Sequence, residues 1–109
     1  MKIYRTAANL RDALLPGGFW TDDRRYAEYI HPHLTVYEAE LPDAAHVHES
    51  DDELLIAFGE EMPQEARAVL DGLRAAGYDA AQFQAWDWAC DEYAVFRPEV
   101  LSRVRRKNR

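Results

Sequence analysis

The sequence feature that most constrains the fold is the order in which strand-like and helix-like hydrophobic periods follow each other along the chain. Period-two segments typical of strands lie towards both ends, and a helical period occupies the middle. The clearest helix, at residues 63–76, carries an apolar stripe and ends before Gly77. The regular alternation of strands and helices that a parallel doubly wound fold requires is absent. The sequence therefore predicts an α+β domain with a mostly antiparallel, split β-sheet and helices.

Local patterns predict the remaining elements. Strands are predicted at residues 2–7, 34–41, 46–48, 78–83 and 92–96, and further helices at residues 8–15, 22–30 and 50–58. Thr21 is expected to cap the helix at 22–30, and Ser50 with Glu53 forms a capping box for the helix at 50–58. Residues 1–102 are assigned to a single domain, a size that can bury a core without disulfides.

Charge is divided unequally between the body of the chain and its end. Residues 1–96 carry seven Lys and Arg against 19 Asp and Glu, a net charge of −12, whereas residues 97–109 carry six basic residues against Glu99. Direct nucleic-acid binding by the body is not expected, because such binding depends on neutralising phosphates with cations. The basic segment 103–109 is predicted to be a solvated, partly frayed tail, with docking or attraction of a substrate as the alternative.

The cellular setting is predicted from what the sequence lacks. No apolar run approaches the ~20 residues needed to cross a bilayer, and no basic, apolar leader with a cleavage site begins the sequence. The single cysteine, Cys90, cannot form an internal disulfide, so a cytoplasmic protein without membrane contact is expected. The nearby Asp87, Asp91 and Glu92 disfavour a thiolate, and Cys90 is predicted not to be a nucleophile.

Two histidine pairs are candidate metal ligands. The pairs are His31 with His33 and His46 with His48. In an extended segment each pair projects to one side, which is geometrically compatible with zinc. No cysteine lies nearby and the spacing matches no common zinc module, so solvated or capping histidines are the preferred interpretation and no metal is predicted.

Three short segments carry side chains suited to binding a phosphate, a ribose or a flat ring. Arg5 shares a strand face with Ile3, and its guanidinium either clamps a phosphate or ribose or forms a structural ion pair. After Gly17 and Gly18, an aromatic pair either offers a platform for a flat ring or packs in the core. Glu92 either stabilises a developing oxocarbenium ion or is a surface residue in an acidic loop.

In this order, the segments Tyr4-Arg5, Phe19-Trp20-Thr21 and Glu92–Phe96 resemble the arginine, hydroxyl and glutamate motifs of small ADP-ribosyltransferase-like domains of bacterial and phage proteins. The resemblance spans nearly the whole chain and implies the ADP-ribosyltransferase-like fold. It also implies NAD as ADP-ribose donor and mono-ADP-ribosyl transfer to a protein target. One anti-CRISPR group is similar in size, acidity and inferred fold, which implies a phage or mobile-element effector.

The same resemblance implies roles for individual residues. Arg5 would hold an NAD phosphate or the nicotinamide ribose, and Thr21 would support the site and the ribose. Glu92 would hydrogen-bond that ribose and stabilise the cation as nicotinamide leaves. The aromatic residues implied at the cofactor site are Tyr4, Phe19, Trp20 and Tyr26.

The sequence departs from the family pattern at three positions. Thr6 follows Arg5 where glycine is common, and Asp22 follows Thr21 in place of a second hydroxyl. Cys90 lies two residues before the glutamate, where acceptor-activating members carry Glu or Gln. These departures leave the identity of the acceptor residue open, and they allow an inactive scaffold with the same fold as an alternative.

A non-enzymatic inhibitor is the alternative function. An acidic surface can imitate the phosphates of duplex DNA and block a basic nucleic-acid-binding groove on a partner. The acidic residues that motivate it are Glu49, Asp51, Asp52, Glu53, Glu60, Glu61 and Glu65.

Overall fold

The computed structural model describes residues 1–50, 64–85 and 90–108 of the chain. The strands in this part are β1 (Lys2–Ala7), β2 (Gly18–Thr21), β3 (Thr35–Glu40), β4 (Val47–Glu49), β5 (Ala80–Ala85), β6 (Cys90–Val95) and β7 (Ser102–Lys107). The helices in this part are α1 (Leu10–Ala13), α2 (Arg24–Ile30) and α3 (Gln64–Ala75). None of these helices is long and apolar enough to cross a membrane.

The seven strands form one sheet in the order β4-β5-β6-β2-β1-β3-β7. Neighbouring strands are antiparallel except for β4 and β5, which run parallel. The predicted α+β class with a mostly antiparallel sheet is therefore confirmed. The predicted split is not seen among these strands, because β2 pairs with both β1 and β6 and joins the two halves into a continuous sheet.

Successive side chains of each strand point to opposite faces of the sheet, and each face has its own cover. The face that carries α1 buries Ile3, Trp20 and Tyr93, and we call it the α1 face. The opposite face carries α2 and α3, and we call it the α2 face. There Leu70 of α3 packs with Phe83 of β5. Because β1 and β2 lie in the middle of the sheet, every residue of these strands is committed to one face or the other.

Most elements predicted from periodicity lie within two residues of their observed positions. The sequence analysis did not predict β2, and it placed one helix cap wrongly. Residues 18–21 form a strand because their backbone pairs with strands on both sides. The N-cap of α2 is Asp23, whose side chain accepts a hydrogen bond from the Arg25 amide, and not Thr21. The predicted helix at 50–58 falls almost entirely outside the described residues.

The basic segment predicted to be a solvated, partly frayed tail instead forms β7 as far as Lys107. β7 pairs antiparallel with β3 and places Arg105 opposite Glu38. Glu38 is only 4% exposed, with its Oε1 atom 2.7 Å from Arg105 Nη2 and its Oε2 atom 3.5 Å from Lys107 Nζ. Two of the positive charges of β7, those of Arg105 and Lys107, thus face a carboxylate that another strand buries, which a charge run in the sequence does not reveal.

The Glu38 carboxylate links the attachment of β7 to pH. Burial alone would raise the pKa of Glu38, but the hydrogen bond from Arg105 and the charges of Arg105, Lys107 and Lys2 outweigh it, and the pKa lies below its ordinary value. A carboxyl group whose folded pKa is lowered stabilises the fold above its unfolded pKa, and that stabilisation is lost as pH falls towards the folded pKa.

We therefore expect Glu38→Gln to lower the free energy of unfolding at pH 7 by about 1–2 kcal/mol, since a charged hydrogen bond is replaced by a neutral one. The difference from the wild type should shrink as pH falls below about 4, where the unfolded carboxyl group protonates. Urea unfolding at a series of pH values measures both effects. Glu99→Gln, at an exposed position, is the matched control. A difference independent of pH would contradict the assignment.

Arg103 sits at a bulge where β7 has one residue more than β3. Glu40 lies opposite Ser102 and Glu38 opposite Arg105, so two steps along β3 match three along β7. The extra length is accommodated at Arg103, whose φ of 52° is in the left-handed region. A side chain in this region costs about 1–2 kcal/mol, whereas glycine adopts it freely.

Arg103→Gly should therefore raise the free energy of unfolding by about 0.5–1 kcal/mol, after allowance for the greater chain entropy of glycine in the unfolded state. Arg106→Gly, in the regular part of the same strand, should lower it. Denaturant midpoints of the two variants test the pair. A loss of stability in Arg103→Gly as large as that in Arg106→Gly would contradict the bulge assignment.

Candidate functional site

Three of the predicted site residues lie side by side on the α2 face. Tyr4 of β1 lies opposite Thr21 of β2, and Thr21 lies opposite Glu92 of β6. Directly opposite residues of antiparallel strands project to the same face, with Cβ atoms about 5 Å apart. The register of three neighbouring strands thus assembles a row that is spread over almost ninety positions of the sequence.

Glu92 is the carboxylate of this row, and it is partly buried. Burial raises the pKa of Glu92, and a hydrogen bond with the side chain of Tyr26 on α2 lowers it by less, so the net shift is upward. No Lys or Arg of the described residues contributes to this pKa. A carboxylate in such surroundings has spare acceptor sites and a strong electrostatic effect on any positive charge that develops beside it.

Aromatic side chains flank Glu92. Phe83 lies directly opposite it on β5, and the Phe19 ring packs edge-on against the Phe83 ring with centroids 5.6 Å apart. Phe83 is only 2% exposed and belongs to the core, so the partly exposed Phe19 and Tyr26 are the rings on this side that a flat heteroaromatic ring could contact. Sequence reasoning named Phe19 and Tyr26 but missed Phe83, although its place in a predicted strand was a usable signal.

Thr21 is 3% exposed, and the protein itself uses its hydroxyl group. The Oγ1 atom lies 3.0 Å from the Asp91 carbonyl oxygen and 3.7 Å from Cys90 Sγ, and accepts a 3.2 Å hydrogen bond from the Asp23 amide. The hydroxyl therefore ties the start of β6 to the turn before α2. Thr21 is therefore placed to position the strand that carries Glu92, and its hydroxyl group is engaged by the protein.

Cys90 lies beside this hydroxyl and is buried. Burial raises the pKa of the Cys90 thiol; the hydrogen bond with Thr21 lowers it, and the negative charges of Asp22, Asp23 and Glu92 raise it further, with a net upward shift. The expectation that a thiolate is disfavoured here is confirmed.

Arg5 lies on the α1 face, with Ile3 as predicted, and thus on the other side of the sheet from Glu92. Its Nη1 atom donates a 2.7 Å hydrogen bond to the carbonyl oxygen of Ala13, the last residue of α1. Burial lowers the pKa of Arg5, and the charge of Asp12 raises it by less. The guanidinium is therefore held by a helix end, an arrangement that differs from both the phosphate clamp and the carboxylate pair considered from the sequence.

Gly18 makes room for this guanidinium. A Cβ atom at Gly18 would lie 1.7 Å from Arg5 Nη1 and 2.3 Å from Cζ, closer than any contact tolerates. Trp20, two residues further along β2, is 1% exposed in the core of the α1 face. The aromatic pair 19–20 is thus divided by the sheet: Phe19 reaches the neighbourhood of Glu92 and Trp20 does not.

Two other sequence features lie away from this row. His46 and His48 both pack against Tyr78, with ring centroids 4.2 Å and 5.1 Å away. Within residues 1–50, 64–85 and 90–108, no group of three or more His, Cys, Asp and Glu side chains is placed to hold a metal ion. Of the acidic residues behind the inhibitor alternative, Glu49 is exposed, whereas those at 51–61 fall outside the described residues, and the alternative stays a prediction.

An open cleft of about 390 Å³ lies near the end of β4, β5 and β6. The residues that line it are Glu49, Ser50, Gln82, Phe83, Gln84 and Asp91. Its polar groups partly satisfy each other, since Gln82 Nε2 donates a 2.8 Å hydrogen bond to Asp91 Oδ2. None of the site residues predicted from the sequence lines this cleft.

Comparison with known proteins adds nothing to the geometry: no protein-family model, curated protein or solved structure matches the chain.

The contact between Arg5 and Gly18 predicts that substitutions at these two positions have strongly coupled effects on the free energy of unfolding. Gly18→Ala should lower the free energy of unfolding by about 1–3 kcal/mol, because the guanidinium must leave its place and lose its hydrogen bond to Ala13. In an Arg5→Ala background the same substitution should cost almost nothing. A double-mutant cycle by urea unfolding measures the coupling. Additive effects of the two substitutions would contradict the packing described here.

Proposed function

We propose that this chain is an NAD-dependent mono-ADP-ribosyltransferase with an ADP-ribosyltransferase-like fold, acting on a protein target. The observation that carries the proposal is Glu92, a partly buried carboxylate without a cationic partner among the described residues, set between Tyr26 and Phe83. Phe19 adds a second ring on the same side. A carboxylate bordered by aromatic rings suits a ribose that bears a flat, positively charged base.

The chemistry follows from that arrangement. The bond between C1′ of the ribose and the nicotinamide nitrogen breaks, and its electron pair goes to the nitrogen, which neutralises the ring. Positive charge develops on C1′ and the ring oxygen, and the Glu92 carboxylate stabilises it while accepting a hydrogen bond from a ribose hydroxyl. A nucleophilic atom of the target then attacks C1′ and releases its proton to solvent, which leaves ADP-ribose on the target.

The other site residues position the Glu92 carboxylate or the elements around it. Thr21 fixes the start of β6, and Tyr26 orients the Glu92 carboxylate by its hydrogen bond. Tyr4 continues the row and is partly exposed. Arg5 enters the proposal as the residue that holds α1 against the sheet, since its guanidinium is occupied on the α1 face.

The net negative charge of residues 1–96 favours a target protein with a basic surface. Residues 1–96 carry a net charge of −12, which favours encounter with a basic surface and disfavours free nucleic acid. A protein of a nucleic-acid-binding complex has such a surface. A phage or mobile-element effector directed at one is in keeping with this charge.

Glu92→Gln should leave NAD binding within about threefold of the wild type and slow nicotinamide release from NAD by about a hundredfold or more, since loss of one preorganised electrostatic group has effects of this order. Calorimetry measures the binding, and chromatography measures nicotinamide without knowledge of the target. Because the pKa of Glu92 is raised, wild-type activity should begin to fall with decreasing pH at a higher pH than an ordinary glutamate would give.

Glu99→Gln is the matched control and should behave as the wild type, because Glu99 is exposed and follows β6 by several residues. Wild-type nicotinamide release in Glu92→Gln would overturn the mechanism. Absence of NAD binding at millimolar concentration would overturn the proposed function.

A further inference from the structure

We infer that the outer edge of β7 is a docking site for an acidic, extended segment of a partner protein, which pairs with β7 and lengthens the sheet by one strand. Addition of a peptide strand to a sheet edge is a common mode of peptide recognition. This docking site is independent of the proposed function, because three strands lie between β7 and β6, the strand that carries Glu92.

The backbone of β7 is open on one side. β7 ends the sheet, and β3 is its neighbour among the described strands. An edge strand presents a row of N–H and C=O groups that can pair with another chain. In the described part of the chain, residues 103–107 make no backbone hydrogen bond outside this pairing with β3. With six residues, β7 is also the longer edge, since β4 has three.

β7 is held in place without a partner. Arg105 and Lys107 contact the buried Glu38 carboxylate of β3. At the end of the strand, Arg24 of α2 donates a hydrogen bond to the carbonyl oxygen of Asn108. The edge is therefore a preorganised template, and the cost of ordering on binding falls mainly on the incoming segment.

The charge at this edge is positive. β7 carries four basic residues and β3 carries two glutamates, which leaves an excess of two positive charges on this pair of strands. Arg105 and Lys107 face Glu38, whereas Glu40 lies opposite Lys2 of β1. The two carboxylates of β3 are thus engaged by these cations, and the edge is a local exception to the acidic character of residues 1–96.

Arg103 and Arg106 carry the positive excess. Both are exposed, and neither forms an ion pair within the described part of the chain. Arg106 lies opposite Tyr37 of β3, on the other face of the sheet from Arg105. Opposite charges on neighbouring strands stabilise their pairing, and like charges destabilise it. Glutamate or aspartate in the incoming strand would therefore favour its pairing with β7.

The same charges discriminate between occupants. A second copy of β7 would set arginine beside arginine, which opposes edge-to-edge pairing of two copies. Charges and bulges commonly protect an edge from non-specific pairing. Here the bulge lies at Arg103, and Arg105–Lys107 keep a regular register with β3. An acidic strand is the partner for which the charges attract and the regular part of the backbone is free to pair.

The test uses a fluorescent peptide of alternating glutamate and valine, as long as β7, and measures its binding by anisotropy in about 0.1 M salt, where charges beyond about 10 Å are screened. One control peptide has lysine in place of glutamate. The other keeps glutamate but is N-methylated at every amide, so that it has no N–H donor for a sheet. We expect the acidic peptide to bind, the N-methylated peptide to bind at least about tenfold more weakly, and the lysine peptide not to bind.

Variants and hydrogen exchange locate the binding. Arg103→Gln/Arg106→Gln keeps the ion pairs of Glu38 and should bind the acidic peptide about fivefold more weakly, from two exposed charge contacts. Arg67→Gln is the matched control, because Arg67 is an exposed arginine of α3, which packs on β5 towards the other edge. It should stay within about twofold of the wild type. The peptide should protect amides of β7 from exchange, and thermal unfolding confirms that each variant is folded.

Several outcomes would contradict the docking site. Equal binding of the acidic and N-methylated peptides would show attraction by charge without strand pairing. Protection at β4 in place of β7, an equal loss in Arg67→Gln, or no binding of the acidic peptide at millimolar concentration would also overturn it. Tighter binding of a single-stranded oligonucleotide would make β7 a nucleic-acid contact, and a dimer with protected β7 would make the occupant a second copy; either result overturns the proposal. None of these measurements uses NAD, so the proposed function is tested separately.

Discussion

The alternation of side chains along β1 is the constraint on which the candidate site depends. Successive residues of a central strand must point to opposite faces, so Tyr4 and Arg5 cannot serve the same surface. Pairing through β2 extends this division: Thr21 and Glu92 join Tyr4 on the α2 face, whereas Trp20 is buried with Arg5 on the α1 face. Glycine at position 18 then allows the Arg5 guanidinium to keep its place, because the guanidinium occupies the space that a Cβ atom would need.

Buried Glu38 on β3 holds the edge strand β7 against the sheet. An edge strand rich in arginine would be poorly held by backbone pairing alone, since its like charges repel each other. A carboxylate on β3 that is 4% exposed attracts Arg105 and Lys107 and so selects the register in which they lie opposite or diagonal to it. The bulge at Arg103 fits the same register, because the extra residue brings Arg105 to Glu38 at the cost of one left-handed backbone conformation.

An element could be predicted from the sequence where local interactions determine it, and could not where partners distant in sequence determine it. β1, α3 and β6 were predictable because their own periodicity marks them, and the shared face of Arg5 and Ile3 followed from alternation. β2 and β7 were not, since a four-residue strand beginning at Gly18 and a basic run become strands only through partners distant in sequence. For the site, Glu92 and Tyr26 were named from the sequence. The register that sets Glu92 opposite Thr21 and Phe83, and separates it from Arg5, is a tertiary property without a local signal.

Glu38 and Glu92, both on the α2 face, lie in opposite electrostatic environments. Glu38 has cations around it and a lowered pKa, so its charge stabilises the fold. Glu92 has a raised pKa, a hydrogen bond with Tyr26 and no cation among the described residues, so its ionised form is a cost to the fold. A protein that needed only packing there would lose nothing by an apolar residue opposite Phe83. This contrast supports the roles proposed above, in which Glu38 holds the structure and Glu92 acts on a ligand.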